Sequence, residues 1–259
     1  MATIEAKEVE AKLLVSPAKA KDIFKELSRL DTFDRYHLDD AVHHTIKDIY
    51  FDATDQRLHH ADMALRLRYE NDECRITLKG KAVRVGDVTS RLEVEERCSL
   101  AAVKKMVKLL NEQGIKFDEG DLTPEQTPQQ AMTALGLGPI QQRSCHRIAR
   151  NICDGSGAWA ELALDCVRYP VANDEVLHYE IEVEALKPEM MEALVSFTRS
   201  MRQRYGAALS TWQYSKVATA VALEALAADT GLTAITCKDG ISVQGYQALA
   251  HYLEAHHFP

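Results

Sequence analysis

Apolar and charged residues alternate along most of the extended segments of this chain. In Glu8-Val9-Glu10-Ala11-Lys12, the charged side chains fall at every second position. Successive side chains of a strand point to opposite faces, so both carboxylates and the ammonium share one face, while Val9 and Ala11 share the other. A single strand of this kind is typical of a solvated sheet edge. The same pattern recurs in later segments, and this indicates a sheet with one charged face and one apolar face.

Eight segments with this alternation are predicted as strands. They cover residues 8–15, 45–51, 64–69, 75–79, 91–97, 140–153, 159–165 and 178–184. The short connection between the segments at 64–69 and 75–79 predicts a hairpin, which favours a mainly antiparallel sheet.

Apolar residues at helical spacing predict helices over residues 17–30, 99–112, 128–135 and 188–204. Ser16 and Ser99 are the predicted caps of the first two helices. Residues 31–44 and 113–126 are polar and are predicted without regular structure. Two further helices, over 217–227 and 245–256, are predicted in an appended C-terminal segment. The apolar stripes of the longer helices can cover the apolar face of the sheet, which leaves the charged face on the opposite side.

Composition excludes several classes of protein. The chain has 259 residues, of which 46% are hydrophobic and 27% charged, as in ordinary globular proteins. Its net charge of −8 disfavours nucleic acid and anionic membranes as partners. No apolar run approaches the roughly 18–20 residues of a membrane helix, and the N-terminus has no apolar signal region. The six cysteines lack metal or redox spacing, which predicts reduced thiols and a cytoplasmic location.

The charged face carries both signs. Its basic members are Lys12, Arg66, Arg68, Arg75, Lys79, Arg91 and Arg147, and its acidic members are Glu8, Glu10, Glu93, Glu95, Glu161, Asp165, Glu180, Glu182 and Glu184. Neighbouring carboxylates raise one another's pKa unless a cation lies between them, and ligand sets of oxygen alone suit Mg²⁺ or Mn²⁺. Arginine and lysine suit phosphate oxygens. The combination favours a polyphosphate that is bound as a metal complex.

A water-facing surface of cross-strand ion pairs is the alternative for any one of these strands. Repetition of the same inverted pattern in five or six strands favours an inner face. If the sheet closes into a barrel, these charges line its lumen.

Several motifs in this order resemble the CYTH superfamily, the triphosphate tunnel metalloenzymes. Glu8-Val9-Glu10-Ala11-Lys12 matches the family's ExExK signature, and the segment from Tyr50 to Leu58 resembles YxDTxDxxL, with Ala53 in place of threonine. Further matches are Ala64–Arg68 to ALRxR, Thr77–Gly80 to TxKG and Glu93–Glu95 to the later ExE. The resemblance covers residues 5–217 approximately and continues through Arg147, Glu161–Asp165, Glu180–Glu184 and Ser215-Lys216.

The resemblance implies an α+β fold, in which an eight-stranded antiparallel β-barrel forms a tunnel, helices pack outside it and a helical extension follows. The tunnel domain is expected over residues 1–216 and the extension over residues 217–259. The implied activity is metal-dependent hydrolysis of the terminal phosphate of inorganic triphosphate, or tripolyphosphate, by water. The expected cofactor is Mg²⁺ or Mn²⁺, the expected partner is a small triphosphate, and a monomer or homodimer is expected.

Site roles carried over by position follow the same resemblance. The metal ligands are Glu8 and Glu10 with a carboxylate from Glu180, Glu182 or Glu184. Lys12, Arg66, Arg68, Lys79, Arg91, Arg147 and Lys216 hold the triphosphate, and Asp165 orients its basic neighbours. Lys79, Arg147, Glu93 and Glu95 serve the reaction itself, with the two glutamates placing a second metal or the attacking water.

Other activities share this fold. A class IV adenylyl cyclase resembles this chain but carries His-Phe six residues before ExExK, where this sequence has Ala2 and Thr3. A thiamine triphosphatase requires an aromatic platform, for which Trp159 and Trp212 are the two tryptophans present. An RNA-end triphosphatase is disfavoured by the acidic net charge. A polyphosphate-binding module without catalysis is disfavoured by the many inward carboxylates.

Overall fold

The computed structural model of the chain describes residues 4–118, 120 and 122–256. Ala2 and Thr3, which distinguish the sequence from the cyclase pattern, lie outside the described residues. Within those residues, no helix combines the length and hydropathy that a membrane crossing requires.

The strands, numbered in chain order, include every predicted one. They are β1 (Ile4–Val15), β2 (Thr32–Phe33), β3 (Tyr36–Leu38), β4 (Val42–Ala53), β5 (Ala64–Glu70), β6 (Glu73–Lys79), β7 (Val83–Val85), β8 (Val88–Arg97), β9 (Leu137–Asp154), β10 (Gly157–Val171), β11 (Asp174–Ala185), β12 (Leu209–Thr211), β13 (Thr236–Cys237) and β14 (Gly240–Ile241).

The helices are α1 (Pro17–Leu27), α2 (Arg57–His60), α3 (Leu100–Glu112), α4 (Pro128–Ala134), α5 (Met191–Tyr205), α6 (Lys216–Thr230), α7 (Leu232–Ile235) and α8 (Val243–Ala255). Short 3₁₀ turns cover Pro188–Met190 and Gly206–Ala208. Ser99 caps α3 as predicted, since its side chain accepts from the Ala102 N–H, whereas the Ser16 side chain makes no capping hydrogen bond.

The eight predicted strands form a closed barrel. The sheet runs in the order β10-β11-β1-β8-β6-β5-β4-β9, and β9 also pairs with β10, so the eight strands close into an antiparallel ring. The predicted α+β fold with an eight-stranded antiparallel barrel is therefore confirmed. Strands β2, β3, β7 and β12 extend the same sheet, while β13 and β14 form a separate ribbon.

Residues 31–44 are more ordered than predicted. Strand β2 pairs with β3, and β3 pairs with β9, because Phe33, Tyr36 and Leu38 supply buried apolar side chains at 3%, 4% and 1% exposure. The neighbouring histidines and aspartates conceal this apolar content in the sequence.

Helix α1 also ends three residues before the predicted end. Its last carbonyl, that of Leu27, accepts a hydrogen bond of 2.7 Å from the Arg150 guanidinium, which also donates to the Leu38 carbonyl at 2.9 Å. The carbonyl group at the end of α1 is therefore satisfied by a side-chain donor and not by a further helical turn.

By internal contacts the chain divides into two compact units. The first contains Ile46–Val83 and Arg91–Gln142 together with the residues up to Lys7, and the second contains Glu8–Thr45, Arg84–Ser90 and the chain from Arg143 onward. The predicted division at residue 216 stays a prediction.

Each unit buries the apolar face of its strands under helices. In the first unit, Leu67, Ile76 and Val94 are buried in one cluster with Val103 and Met106 of α3. In the second unit, a cluster formed by β1, β10 and β11 packs against apolar residues of α1 and α5, with Leu162, Val183, Leu27 and Phe197 all fully buried. The charged positions of the same strands lie on the opposite face, which is the inner face of a barrel that carries its helices outside.

The cysteines depart from the expectation of six reduced thiols. Cys74 and Cys98 are joined as a disulfide between the ends of β6 and β8, while Cys145, Cys153, Cys166 and Cys237 are free. The pairing follows from strand register, because Arg75 lies opposite Arg97. Spacing along the chain does not reveal such a contact.

Candidate active site

In the first unit, a basic and acidic network covers the charged face of β5, β6 and β8. Register places Arg66 beside Thr77 and Thr77 beside Glu95. The Arg66 guanidinium donates to the Thr77 hydroxyl at 3.0 Å and to Glu95 at 3.3 Å, and the Thr77 hydroxyl donates to Glu95 at 2.9 Å. Arg66 is 4% exposed. These contacts fix a buried guanidinium and a carboxylate side by side.

Glu95 is ionised in this network. Burial alone would raise its pKa, but attraction to Arg66 and the hydrogen bond from Thr77 outweigh burial, and its pKa is lowered below the usual value. The carboxylate can therefore accept a hydrogen bond from water at neutral pH but cannot act as an acid.

The remaining predicted residues of this unit lie on the same face. Lys79, which is 9% exposed, contacts Glu93 through its Nζ at 2.7 Å. Alternation along β8 puts the half-buried Arg91 on the face of Glu93 and Glu95. The predicted Arg75 contacts Glu95 at 3.2 Å and is partly exposed.

Asp48 of β4 is a member of this face that the sequence prediction missed. It is 2% exposed and accepts two hydrogen bonds from Arg68, at 2.8 and 3.0 Å. Its position two residues before Tyr50 in an alternating segment is a signal that could have found it. The paired contact holds the Arg68 guanidinium in one orientation.

In the second unit, the inner-face cluster gathers three carboxylates and three cations. The carboxylates are Asp165, Glu180 and Glu182, and the cations are Lys12, Arg147 and Lys216. One oxygen from each carboxylate lies within 4.8 Å of the other two. Because Asp165 of β10 lies opposite both Glu180 of β11 and Arg147 of β9, strand register alone brings most of the cluster together.

Arg147 and Lys216 bridge these carboxylates. Arg147 donates to both oxygens of Asp165 at 2.7 Å and to Glu182 at 2.6 Å. The Lys216 ammonium lies 2.9 Å from Asp165, 2.8 Å from Glu182 and in direct contact with Glu180. Asp165 and Glu180 are 0% exposed, so these contacts replace the water that ionised groups normally require.

The pKa directions follow from this arrangement. For Glu182, burial acts to raise the pKa, but Lys216, Arg147 and Lys12 together hold it well below the usual value. The pKa of Asp165 is lowered as well, because Arg147 and Lys216 outweigh burial, and the pKa of Lys216 is raised well above its usual value although burial opposes this. All these groups are therefore charged at neutral pH.

The predicted ExExK strand lies beside this cluster. Glu8 and Glu10 are 7% and 3% exposed, and Glu10 contacts Lys12 at 3.0 Å. Lys12 is opposite Glu182 in register and lies 3.7 Å from it. Glu184, opposite Glu10, is outside the group of three converging carboxylates among the described residues.

Two further residues that sequence reasoning missed lie behind Glu180. The Glu180 carboxylate is 2.8 Å from His178 Nε2, and His178 Nδ1 is 2.8 Å from the hydroxyl of Tyr246 in α8. His178 is visible in the alternating segment 178–184, but Tyr246 lies 68 residues later and has no local signal.

Neither tryptophan is placed as an aromatic platform on the inner face of its unit. A β-bulge between Ala158 and Ala160 interrupts the alternation, and Trp159 packs against Tyr36 at 5.0 Å in the core beneath the helices. Trp212 packs against Tyr214 and Tyr246 and donates to Thr219.

Comparison with known proteins places the chain in a family. The model of the CYTH domain matches residues 6–207, and the chain therefore belongs to the CYTH family. Lys216 and Tyr246 lie beyond the matched residues. No curated protein matches the chain.

Solved structures include proteins that are similar to this chain. A Hippeastrum protein named as an adenylyl cyclase, and described as having a dominant triphosphatase activity, is 19% identical with a TM-score of 0.53, over 83% of this chain and 95% of its own. A Bacillus halodurans protein named as an adenylate cyclase is 21% identical with a TM-score of 0.49, over 83% and 96% of the two chains.

The cluster of Asp165, Glu180 and Glu182 predicts a particular dependence of stability on pH. A carboxylate whose folded-state pKa is lowered contributes stability above its unfolded pKa, and that contribution is lost as the pH falls through the folded value. We therefore expect the free energy of unfolding of the metal-free protein to fall on acidification below about pH 4. In Lys216→Met the carboxylates lose a cation, so stability at neutral pH should drop by about 3–5 kcal/mol and the loss on acidification should shrink.

Urea unfolding in EDTA at several pH values measures both effects. Lys238→Met, at an exposed lysine of the same C-terminal segment, is the matched control and should keep the wild-type pH profile. A Lys216→Met profile parallel to that of the wild type would show that the ammonium does not set the ionisation of the cluster.

Proposed function

We propose that this CYTH protein hydrolyses the terminal phosphate of inorganic triphosphate, with Mg²⁺ or Mn²⁺ as cofactor. The observation that carries the proposal is the cluster of three carboxylates with Lys12, Arg147 and Lys216 on the inner face of the second unit. A face built only to bind anions has no need of buried carboxylates, because burying them costs free energy. Carboxylates and cations in one place suit a substrate that arrives as a metal–polyphosphate complex.

The metal ligands of the proposal are carboxylates of the second unit. The oxygens of Asp165, Glu180 and Glu182 converge within 4.8 Å, and Glu8 and Glu10 are buried on the neighbouring strand. An all-oxygen set is what Mg²⁺ and Mn²⁺ prefer, so the residues present fit the ion. When bound, the ion supplies Lewis-acid polarisation of the phosphate oxygens. We therefore prefer Glu180 and Glu182 to Glu184 as the ligands from β11.

The basic residues bind and orient the phosphates. Arg66 and Arg68 are held in fixed orientations by Thr77 and Asp48, so little side-chain entropy is lost when they bind an anion. Lys79 contributes a point charge in the same unit, and Lys12, Arg147 and Lys216 contribute the cations of the second. In phosphoryl transfer, donors of this kind stabilise charge on the equatorial oxygens in the transition state.

The attacking water requires an acceptor. Glu95 is ionised and held by Arg66 and Thr77, and Glu93 is held by Lys79. Each can accept a hydrogen bond from water and orient its oxygen for in-line attack on the terminal phosphorus. No side-chain nucleophile is part of the proposal.

The proposal includes a monomer or homodimer and a cytoplasmic location. The Cys74–Cys98 disulfide is of a kind that is rare in reducing compartments.

Purified protein is expected to release orthophosphate from tripolyphosphate with Mg²⁺ or Mn²⁺, and EDTA should stop the release. The same assay on ATP, thiamine triphosphate, a triphosphate-ended RNA and long-chain polyphosphate ranks the substrates, and a cyclic AMP assay detects cyclisation. Hydrolysis of tripolyphosphate should exceed that of the others. Cyclic AMP formation, or tight binding without turnover, would replace the proposal by a cyclase or by a polyphosphate-binding module.

Glu10→Gln should lower kcat/KM for tripolyphosphate by about a hundredfold or more, because a neutral amide is a poor ligand for a hard cation and because Lys12 loses the nearer of its two carboxylate partners. Circular dichroism should show a fold like that of the wild type. Glu192→Gln, at an exposed glutamate of α5, is the control and should retain full activity. Full activity of Glu10→Gln would remove Glu10 from the metal ligands.

A further inference from the structure

A groove lined by cations lies on the helix-covered side of the second unit, where α1 packs on β9, β10 and β11. We call it the basic groove and define it by Lys21, Lys25, Arg29, Arg168, Cys166 and Tyr179. Its volume is about 530 Å³, within the range of about 300–1,000 Å³ that is usual for small-molecule sites. Leu162, Leu164 and Ile181 of the same strands pack beneath the helices, so the groove lies on the face opposite the inner-face cluster.

The basic groove has cations but no carboxylates among its lining residues. Among the described residues, Lys21, Lys25 and Arg29 make no ion pair, and Arg168 has only an exposed contact of 3.4 Å with Glu175. Of the two acidic residues on α1, Asp22 is not part of the groove lining and Glu26 pairs with Arg204. Four like charges in a chain whose net charge is −8 repel one another, and a bound anion would relieve that repulsion.

The floor of the groove is apolar and aromatic. Phe24 and Tyr179 meet edge to face with ring centroids 6.0 Å apart, and both rings are largely buried. Ile148 and Leu177 complete the floor. Leu177 and Cys166 are only partly buried, and an inorganic ion alone would leave their exposed surface in water, whereas an apolar body attached to an anionic group would cover it.

We propose that the basic groove binds a small aryl or alkyl phosphate, with the phosphate among the four cations and the apolar body over Leu177, beside the buried rings of Phe24 and Tyr179. This site is separate from the inner-face cluster, and the proposal does not depend on the proposed hydrolysis. Cys166 lies in the groove with a free, half-buried thiol. It therefore reports occupancy directly.

The experiment measures how fast N-ethylmaleimide modifies each free cysteine of the folded wild-type protein, by mass spectrometry of its peptides after the reaction is quenched and the protein is digested. The probe is 1-naphthyl phosphate, and 1-naphthol and inorganic phosphate serve as its two halves. We expect 1-naphthyl phosphate to slow modification of Cys166 several-fold, with little effect from either half at the same concentration. Exposed Cys237 is the internal reference, and its rate should not change.

Lys25→Glu and Arg29→Glu are both at exposed positions. Each should raise by about tenfold the concentration of 1-naphthyl phosphate that is needed to protect Cys166 from modification. Both variants should keep the wild-type fold, because neither side chain is buried. No protection of Cys166, or equal protection in the charge-reversed variants, would overturn the proposal. Vesicles of phosphatidic acid form a separate arm, and protection by vesicles without protection by the soluble ester would replace it by a lipid surface.

A second observation carries an independent inference about the C-terminal helix α8. Tyr246, His178 and Glu180 form a chain of two buried hydrogen bonds, each 2.8 Å long. A carboxylate can only accept, so His178 Nε2 donates to Glu180, and the Tyr246 hydroxyl is the partner of Nδ1. Burial raises the pKa of Tyr246 well above its usual value, so the hydroxyl keeps its proton.

Two glycines at and before α8 let the backbone of the C-terminal segment pass close to neighbouring backbone. A β-carbon at Gly245 would collide with the Ile235 carbonyl oxygen, and one at Gly240 would collide with the Leu177 carbonyl oxygen on β11. Glycine at 240 lets the C-terminal segment lie directly against the strand that carries His178 and Glu180, and glycine at 245 lets α8 pack closely on the end of α7.

We infer that Tyr246 is a positioning residue for Glu180, an inference that rests on the proposed metal site. The hydrogen bond to His178 holds one oxygen of Glu180 and leaves the other among Asp165, Glu182 and Lys216. The C-terminal segment, which lies beyond the residues matched by the family model, would thus set the geometry of the inner-face cluster.

Tyr246→Phe removes the hydroxyl and keeps the ring. We expect the Kd for Mn²⁺, measured by electron paramagnetic resonance without substrate, to rise by roughly ten- to a hundredfold, as for other partners that orient metal ligands. Tyr252→Phe on the same helix is the matched control and should bind Mn²⁺ like the wild type. Thermal unfolding of both variants separates positioning from a general loss of stability.

The outcomes are distinguishable. Wild-type affinity in Tyr246→Phe would overturn the positioning role, even if its thermal midpoint falls. Mn²⁺ binding by the wild type without any triphosphate hydrolysis would contradict the proposed function but leave this inference standing. A wild type that does not bind Mn²⁺ would overturn both.

Discussion

Buried carboxylates stay ionised in this protein because cations from other elements lie against them. Asp165 and Glu180 are fully buried, and their charges are compensated by Arg147 of β9 and Lys216 of α6. Removing one partner from such a group leaves an uncompensated buried charge, which is among the most costly changes a fold can suffer. The inner face of the second unit therefore requires that β9, β10, β11 and α6 all be in place at once.

Strand register is the means by which this requirement is met. Asp165 lies opposite both Arg147 and Glu180, and Lys12 lies opposite Glu182. A slip of one residue would turn these groups into the apolar cluster under α1 and α5 and bring Leu164 or Ile181 to the charged face. Apolar burial on one face and charge compensation on the other thus favour the same pairing of strands.

Alternation made the eight barrel strands predictable, since each has a local period of two that apolar and charged residues both obey. The residues of the charged face followed from the same pattern, as Arg66, Lys79 and Glu95 illustrate. Long-range contacts could not be predicted in this way. Tyr246 reaches His178 only because the C-terminal segment folds back on β11, and the disulfide of Cys74 with Cys98 depends on the neighbouring strand.

Other differences have local physical causes. Trp159 occupies a position that strict alternation assigns to the charged face, but a β-bulge turns it into the core. Strands β2 and β3 could not be predicted from the apolar pattern, because short strands at the edge of a core contain few apolar residues. Helix α1 ends early because the side chain of Arg150, which is far along the chain, donates a hydrogen bond to the last carbonyl of the helix.

The central claim is that water attacks the terminal phosphorus of a triphosphate at the charged inner face of this CYTH barrel. Hydrolysis of tripolyphosphate in water enriched in oxygen-18, followed by phosphorus NMR of the products, tests this most directly. We expect the label to enter orthophosphate and to be absent from pyrophosphate. Label in the pyrophosphate, or no metal-dependent turnover at all, would contradict it.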